Sequence, residues 1–304
     1  MKLRLIITGL MLASLLTLGA QEFTQVESIA PVAAELKPRL PEWRPKIVER
    51  FADGNPAIVL FYEEADNGES NPTKRMSFHQ TGRTKEETDL IVITKDDPAF
   101  KLWDSNIVPH GVSIQFDENG PIKSIRYYDK GLLHGTLGVF YSDGKPEQTC
   151  SYSQGQKHGK AYSFYEDGTK SEDATYAEGL LEGDFIRYFP NGNKCSVTQY
   201  VNDVAEGKMM EWHENGAIKS TQNYVHGKLH SDANNPACIS YNDDRGIVEM
   251  RDFNQGEPTG IHITYHNNGR ESYKTPYYEG KKHGKEQFFD VDGTVIGEGK
   301  YEKG

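Results

Sequence analysis

Between Tyr152 and Gly168 the chain reads Tyr-Ser-Gln-Gly-Gln-Lys-His-Gly-Lys-Ala-Tyr-Ser-Phe-Tyr-Glu-Asp-Gly. The opening aromatic of this unit recurs every 24 residues, with one slip of five residues, at Tyr128, Tyr152, Tyr176, Tyr200, Tyr224, Phe253, Tyr277 and Tyr301. In most units, glycines follow it by three, seven and sixteen residues. A fixed period of this length indicates a stack of similar supersecondary units. Such arrays typically offer a binding surface rather than a single active site.

The glycines predict two tight turns in each unit. The third glycine follows Asn or Asp, at Asp143-Gly144, Asp167-Gly168, Asn191-Gly192, Asn215-Gly216, Asn268-Gly269 and Asp292-Gly293. Because Asn-Gly and Asp-Gly favour hairpin turns, we expect both residues to take positive φ. The other connection, such as Lys130-Gly131, is equally short. Each unit therefore holds two strands of about six to eight residues, and neighbouring strands must be antiparallel because no crossover helix fits.

The strand segments alternate with a period of two. Counted from the second glycine of a unit, positions three and five are mostly apolar or aromatic: Ile114 and Phe116, Gly138 and Phe140, Tyr162 and Phe164, Ile186 and Tyr188, Met210 and Trp212, Ile263 and Tyr265. Their neighbours are mostly polar. This pattern predicts that the face carrying positions three and five is buried and that the other face is exposed to solvent. A helical stripe is disfavoured because three glycines per unit are poor helix formers.

The segment Tyr128-Asp129-Lys130-Gly131-Leu132-Leu133-His134-Gly135, followed by Phe140-Tyr141-Ser142-Asp143-Gly144, resembles the variant MORN repeat. The resemblance covers about residues 104–304 and rests on recurrence in near-constant register. It implies an all-β, elongated antiparallel β-hairpin array that serves as a binding or scaffolding module. MORN repeats also occur beside lipid kinase and methyltransferase domains and in antitoxin-like proteins. This sequence contains no long non-repeat segment for such a catalytic domain.

The first twenty residues predict a secretory signal peptide. Lys2 and Arg4 precede a mostly apolar run from Leu5 to Leu18, and Ala20 supplies a small residue at the expected cleavage point. The run is too short for a comfortable membrane span. We therefore expect export to the periplasm, the cell envelope or the cell exterior, with no transmembrane span in the mature chain.

Three further regions follow the signal peptide. Four prolines in residues 21–46 predict an extended linker. Residues 47–103 contain two degenerate hairpins that we expect to cap the array. We expect loops around residues 63–70 and 95–105 in this region. Residues 104–304 form the repeat array, with an insertion near 232–245 that should bulge from one edge as a candidate recognition loop.

Charge restricts the partners. The formal net charge is −11, and loss of Lys2 and Arg4 with the signal peptide makes it −13. Nucleic-acid binding is disfavoured because phosphate contacts need excess Lys and Arg. Electrostatic attachment to anionic lipid is disfavoured for the same reason. We expect a protein partner, with glycan as the next choice and lipid after it.

Histidine precedes the second glycine at His110, His134, His158 and His283. Equivalent positions lie two strands apart, about 9.5 Å, whereas metal ligands lie about 2 Å from the ion. We therefore predict no metal site, and we expect the imidazoles to satisfy backbone groups near the turns.

The cysteines predict no internal disulfide. Cys150 and Cys195 occupy different positions of separate units, and Cys238 has no evident mate. Their strands lie farther apart than the roughly 7 Å between Cα atoms that a bridge tolerates. We expect Cys150 to be a small core residue, equivalent to Ala174 in the next unit.

No catalytic residue or cofactor site is predicted. Paired carboxylates such as Glu63-Glu64 and Asp243-Asp244 fall in loops, where solvated charge is the ordinary role. We expect a non-enzymatic module whose opening aromatics stack and leave part of an aromatic face open to a partner. One alternative is a cell-envelope hydrolase or lipid-modifying enzyme with its site in residues 47–103 or 230–245. Another, which the resemblance suggests, is an antitoxin-like or effector role.

Overall fold

The computed structural model describes residues 36–65, 68–233 and 235–302, which form one continuous antiparallel sheet. The predicted signal peptide, residues 1–20, and residues 21–35 of the predicted linker lie outside the described residues. Within the described part, no helix has the length and apolar character that a membrane crossing requires.

Four strands and a short helix precede the repeats: β1 (Arg44–Arg50), β2 (Pro56–Glu64), β3 (Ser70–Phe78), β4 (Thr84–Val92) and α1 (Pro98–Trp103). The strands that follow are β5 (Ile107–Phe116), β6 (Ile122–Asp129), β7 (Leu132–Leu133), β8 (Gly135–Phe140), β9 (Pro146–Ser153), β10 (Gln156–Phe164), β11 (Lys170–Ala177), β12 (Leu180–Leu181), β13 (Gly183–Tyr188), β14 (Lys194–Val201), β15 (Val204–Ala205), β16 (Gly207–Trp212), β17 (Ile218–Val225), β18 (Lys228–Leu229), β19 (Cys238–Tyr241), β20 (Ile247–Asn254), β21 (Glu257–Tyr265), β22 (Glu271–Tyr278), β23 (Lys281–Lys282), β24 (Gly284–Phe289) and β25 (Val295–Tyr301).

The prediction of an all-β array of antiparallel hairpins is confirmed. Each strand pairs with its neighbours in sequence, and one unit supplies an outgoing and a return strand. The two-residue strands, such as β7 and β12, continue directly into β8 and β13 after one unpaired residue.

The predicted conformation of the Asn/Asp-Gly turns is wrong in one respect. Gly144 has φ 87°, but Asp143 is not among the residues with positive φ. Gly144 donates to Tyr141 O at 2.9 Å, and Asp143 Oδ1 accepts from Lys145 N at 3.0 Å. The strand register shifts beside the turn. This is a three-residue hairpin loop that ends in a left-handed glycine and a bulge, a common alternative for the same dipeptide.

The turns with two left-handed residues lie at the other end of the hairpins. Lys130 and Gly131 have φ 46° and 83°, and Glu178 and Gly179 have φ 50° and 89°. Their backbone twist matches that of the two flanking strands.

The loop predicted around residues 95–105 contains the helix α1, so this expectation was wrong. Asp97 caps the helix by accepting from Ala99 N at 3.0 Å, and Pro98 stands at its first turn. Asp104 ends the helix in the left-handed region, with φ 47°. Trp103 Nε1 donates to Gly131 O at 2.9 Å, so α1 covers the first turn of the repeats.

The two faces of the sheet differ in burial, in the opposite sense to the prediction. We call the face with the opening aromatics the ring face, and the face with positions three and five the stripe face. Positions three and five, such as Tyr162 and Phe164, are only half-buried. Most of the buried side chains in the repeats are small or polar ones on the ring face, whereas the stripe face buries Val112, Ile125 and Thr149; the ring-face set is Ser113, Ser124, Cys150, Ala174, Ser196, Thr198, Ser220, Cys238, His262, Thr275 and Glu286. In a single layer, small side chains are covered by larger neighbours, whereas large ones need a second layer, and the repeats show none among the described residues.

Candidate binding face

The stripe face is one unbroken surface across the repeats. Paired residues share a face, and a continuous line of pairs runs from Ile114 through Tyr162, Ile186 and Met210 to Gln287. Much of this line is apolar, and no layer of described residues covers it along the repeats.

Position five adds a row of rings beside that line. The aromatic stripe consists of Phe116, Phe140, Phe164, Tyr188, Trp212, Tyr241, Tyr265 and Phe289, all half-buried. Successive rings lie two strands apart, about 9.5 Å.

Hydrogen bonds between units fix the spacing of the stripe. Tyr141 Oη donates to Phe164 O at 2.6 Å, and Tyr165 Oη donates to Tyr188 O at 2.7 Å. His266 Nε2 lies 3.0 Å from Phe289 O. In each case, the side chain of the residue that follows one stripe ring is hydrogen-bonded to the backbone carbonyl of the stripe residue in the next unit.

A lysine of the chain already lies on the stripe face. Lys170 Nζ is 4.4 Å from the ring centroid of Tyr162 and 5.9 Å from that of Tyr188. Asp173 Oδ2 pairs with the same ammonium at 3.2 Å. The face can therefore hold a cation between neighbouring units by cation–π attraction supported by a carboxylate.

The Asn/Asp-Gly turns form an acidic edge beside the stripe. The acidic turn edge comprises Asp117, Glu118, Asp143, Glu166, Asp167, Glu214, Asp243, Asp244, Asp290 and Asp292, which outnumber the cations of these turns, Lys145, Arg245 and Arg270. The backbone N–H of Lys145 lowers the pKa of Asp143, and that of Thr169 lowers the pKa of Asp167. These two carboxylates are therefore charged well below neutral pH.

At the N-terminal end the stripe face is covered by the chain itself. Residues 36–43, here called the strap, cross it: Lys37 N donates to Asp89 Oδ2 at 3.0 Å, and Arg39 Cζ lies 5.8 Å from the Phe61 ring centroid. Trp43, at the end of the strap, is 7% exposed. Phe61 pairs with Lys74, which is on the face of Ile114.

Lys74 is fully buried at this end of the sheet. Its Nζ lies 2.7 Å from Glu87 Oε1 and 2.9 Å from Asp89 Oδ1. Two carboxylates thus compensate the buried charge, and the amine is closed to a substrate.

The predicted role of the histidines is confirmed at His110. Its Nδ1 accepts from the backbone N of Lys130 at 3.2 Å. His230 does the same for Gln255 N at 3.4 Å. Residues 36–65, 68–233 and 235–302 contain no cluster of three or more His, Cys, Asp or Glu side chains that could hold a metal ion.

Of the insertion predicted near 232–245, residues 238–245 belong to β19 and its turn, which leaves residues 232, 233, 235 and 236 as the described part of the loop. Ser231 N donates to Phe253 O at 2.7 Å, and Ala237 O accepts from Asn223 N at 2.8 Å, so the register resumes on both sides. With Lys208, Thr221 and Ile239 the loop lines a cleft of about 80 Å³ on the stripe face.

The cysteines are free thiols. Cys150 and Cys238 are buried, and burial raises the pKa of both thiols. Cys150 occupies a small core position, as expected, and Ala174 is buried likewise at 4% exposure.

Sequence reasoning missed a polar cluster on the ring face. Lys282 Nζ donates to Glu286 Oε1 at 2.6 Å and to Tyr273 Oη at 2.9 Å, and Tyr273 also donates to Glu286. These hydrogen bonds raise the pKa of Lys282 and lower that of Glu286. Because the three groups satisfy one another, the cluster is a structural clasp. The signal was Glu286, a charged residue at the position that Ala161 occupies in another unit.

Nearby, the ring of His262 lies between two aromatic rings, with centroids 4.3 Å from Tyr277 and 5.4 Å from Phe253. Its Nε2 lies 2.7 Å from Asp252 O. Burial lowers the pKa of His262.

Comparison with known proteins gives one informative match. The family described as the MORN repeat variant matches residues 109–130, 157–178, 181–202 and 205–226. No curated protein matches the chain.

Similar solved structures include a TcdB2-TccC3-Cdc42 complex, at 12% identity and a TM-score of 0.14 over 80% of this chain and 19% of that chain. A porin-like protein from Bacteroides uniformis has 10% identity and a TM-score of 0.16, and the alignment covers 71% of this chain and 88% of the porin-like chain. CbpJ from Streptococcus pneumoniae TIGR4 has 12% identity and a TM-score of 0.16, and the alignment covers 84% of this chain and 100% of CbpJ. This chain spans about a fifth of the toxin-complex chain, and similarity at these TM-scores carries no argument.

Proposed function

Because the chain is a protein of variant MORN repeats, we propose that it is a non-catalytic module that binds a protein partner along its stripe face. The observation that carries this proposal is the row of half-buried rings beside an apolar line, with no second layer of described residues over the repeats. Extended exposed apolar surfaces mark interaction sites, and aromatic residues are enriched in protein interfaces.

The contrast between the two faces supports the stripe face over the ring face. On the ring face, small residues are buried, and clasps such as Lys282–Glu286 pair polar side chains with one another. On the stripe face, Trp212 and Tyr241 are partly open to solvent, and Ile239, two residues before Tyr241, lines the cleft at the insertion.

We place this module outside the cytoplasm, on the strength of the sequence of residues 1–20. A reporter fused after Gln21 and followed by cell fractionation tests the location. Reporter activity confined to the cytoplasm would refute export and leave the binding face untouched.

Site-specific crosslinking tests the binding face. A photoreactive amino acid replaces Tyr188 on the stripe face or, as the matched control, Tyr200 on the ring face. We expect crosslinked protein adducts from intact cells at position 188 and few at 200. Equal yields at both positions, or adducts only at 200, would contradict the proposal.

The enzymatic alternative is tested with the purified chain. Peptidoglycan and phosphoinositide are offered as substrates to the full chain and to a variant lacking residues 232–236. Turnover that disappears with this deletion would refute a purely binding role.

A further inference from the structure

We propose that the partner binds as a basic, proline-containing extended segment that runs across the strands, with a cation at every third residue over successive rings of the aromatic stripe. This inference rests on the proposed function and names the class of partner. It concerns the stripe from Trp212 to Tyr265.

The rings in this part of the stripe are available to a cation. Lys170 occupies the space between Tyr162 and Tyr188. Among the described residues, no Lys or Arg is placed over Trp212, Tyr241 or Tyr265. A shallow groove of about 460 Å³ opens beside Tyr265, between the turn at Asn267–Asn268 and Val291.

The charge beside the stripe selects a basic partner. Glu214, Asp243 and Asp244 are exposed on the acidic turn edge next to Trp212 and Tyr241. The chain as a whole carries a net charge of −11. A lysine or arginine lying over these rings would therefore gain cation–π attraction and a nearby carboxylate, as Lys170 does with Tyr162 and Asp173.

The spacing of the rings selects an extended conformation. Two strand spacings give about 9.5 Å between successive rings. A polyproline II segment rises about 3.1 Å per residue and has three residues per turn, so every third side chain lies on one side at about 9.3 Å intervals. The interval between every third side chain of such a segment therefore nearly equals the spacing between successive rings of the stripe. Aromatic-lined grooves commonly bind this conformation.

The strap shows this mode of contact within the chain. Residues 37–43 of the strap read Lys-Pro-Arg-Leu-Pro-Glu-Trp, with two cations and one carboxylate. The strap crosses the stripe face from the β2 residue Phe61, under Arg39, to the β4 residue Asp89, which binds Lys37 N. The strap is thus a basic, proline-containing segment of the chain itself, and it already covers the N-terminal end of the stripe face.

Residues 21–35 of the chain itself are a poor occupant of the open part. This stretch contains Glu22, Glu27 and Glu35 and no lysine or arginine, so it would be repelled by the acidic turn edge. The occupant that charge and spacing favour is therefore a separate basic polypeptide.

The test compares two synthetic peptides of equal composition against the full chain by isothermal titration calorimetry. One repeats Arg-Pro-Pro over twelve residues, and the other collects the arginines in a single block. We expect the repeated peptide to bind about tenfold more tightly, because only it can place a cation on each ring. Equal affinity would overturn the inference, since it would show that net charge alone is recognised.

Variants locate the site. Trp212→Leu with Tyr241→Leu keeps apolar side chains of similar character and is expected to weaken the repeated peptide about tenfold. Tyr200→Leu with Tyr224→Leu, on the ring face, is the matched control and should bind as the parent does. Circular dichroism melts of all variants verify folding. A loss in the control pair equal to that in the stripe pair would contradict the assignment.

Charge variants test the acidic turn edge. Glu214→Gln with Asp244→Asn should weaken binding, more at low than at high salt. The control, Glu178→Gln with Glu279→Gln, removes two charges from the opposite edge, where glutamine stands naturally at Gln154 and Gln255. If both pairs weaken binding equally, the edge has no special role and the inference fails.

Two further outcomes separate this inference from the proposed function. If neither peptide binds while position 188 still crosslinks a protein partner, the binding face stands and the basic class of partner is refuted. If sedimentation shows a self-associated chain that the Trp212→Leu and Tyr241→Leu variant dissociates, the occupant is a second copy and the inference is wrong.

Discussion

His110 Nδ1 accepts a hydrogen bond from the backbone N–H of Lys130, in the next turn along the sheet edge, at 3.2 Å. Glu206 Oε2 does the same for His226 N at 2.7 Å. In these two units the residue before the second glycine pairs the first N–H of the following turn, once as histidine and once as glutamate. Of the recurring histidines, His110 is thus accounted for by a backbone hydrogen bond at this edge.

Removing such a cap should destabilise the array locally. We expect Glu206→Ala to lower the free energy of unfolding by about 1 kcal/mol, because the turn N–H of His226 loses its partner. Urea denaturation followed by circular dichroism measures the change. Glu206→Gln keeps an acceptor and should lose less, and equal losses in the two variants would show that charge, not the hydrogen bond, is what matters.

The bulge turns depend on left-handed glycines. Gly168 has φ 91°, and an added Cβ there meets no heavy atom within 4 Å. We therefore expect Gly168→Ala to cost about 1–2 kcal/mol through backbone strain alone. Gly168→Asn should cost less because asparagine tolerates this region. Thermal melts that rank the asparagine variant below the alanine variant would contradict this account of the turn.

His262 predicts a pH dependence of stability. Burial lowers its pKa below the ordinary value of 6.5, so the unfolded chain binds the proton more readily. The stabilisation is complete above about pH 6.5 and is lost as pH falls through the acid range below it. His262→Gln, which can still donate to Asp252 O, should remove this part of the slope. Denaturation curves between pH 5 and 7 with the same slope in both proteins would refute it.

The carboxylate of Glu286 affects the stability of the fold over a lower pH range than His262 does. Hydrogen bonds from Lys282 and Tyr273 lower its pKa below 4.5, so its contribution is present above that value and is lost as pH falls below it. Measurements above pH 5 therefore separate the contribution of His262 from that of Glu286.

The buried charges under the strap make a further prediction. Asp89 has a 2% exposed side chain and pairs with the fully buried Lys74. We expect Asp89→Ala to cost about 3–5 kcal/mol, because it leaves Lys74 with one carboxylate fewer, and to free the strap for cleavage by trypsin after Arg39, which precedes Leu40.

The double variant Lys74→Met with Asp89→Ala is the control for this prediction. It removes the buried charge and should recover much of the loss in unfolding free energy, but not the anchoring of Lys37 N. A double variant less stable than Asp89→Ala would contradict the prediction.

The period of the sequence predicted the hairpin array but not which face is buried. Both faces carry rings, with Tyr176 on one and Tyr162 on the other, and alternation alone does not distinguish them. Burial depends on whether a second layer covers a face, and a single chain's period carries no such information. The small residues Cys150 and Ala174, which a ring can cover, were the better signal.

Two local features were missed for different reasons. The helix α1 has a recognisable start in Asp97-Pro98, an N-cap followed by proline in the first turn, but its six residues are too few to show a helical period. The form of the Asp143-Gly144 turn depends on strand register, because the same dipeptide suits a two-residue turn or a bulged one.

Hydroxyl-radical footprinting of the full chain, with and without the repeated Arg-Pro-Pro peptide, tests the binding face most directly. The account predicts that Trp212, Tyr241 and Tyr265 become protected on binding, while Tyr200 and Tyr224 on the opposite face keep their reactivity. Protection of Tyr200 and Tyr224, with Trp212 and Tyr241 unchanged, would contradict it.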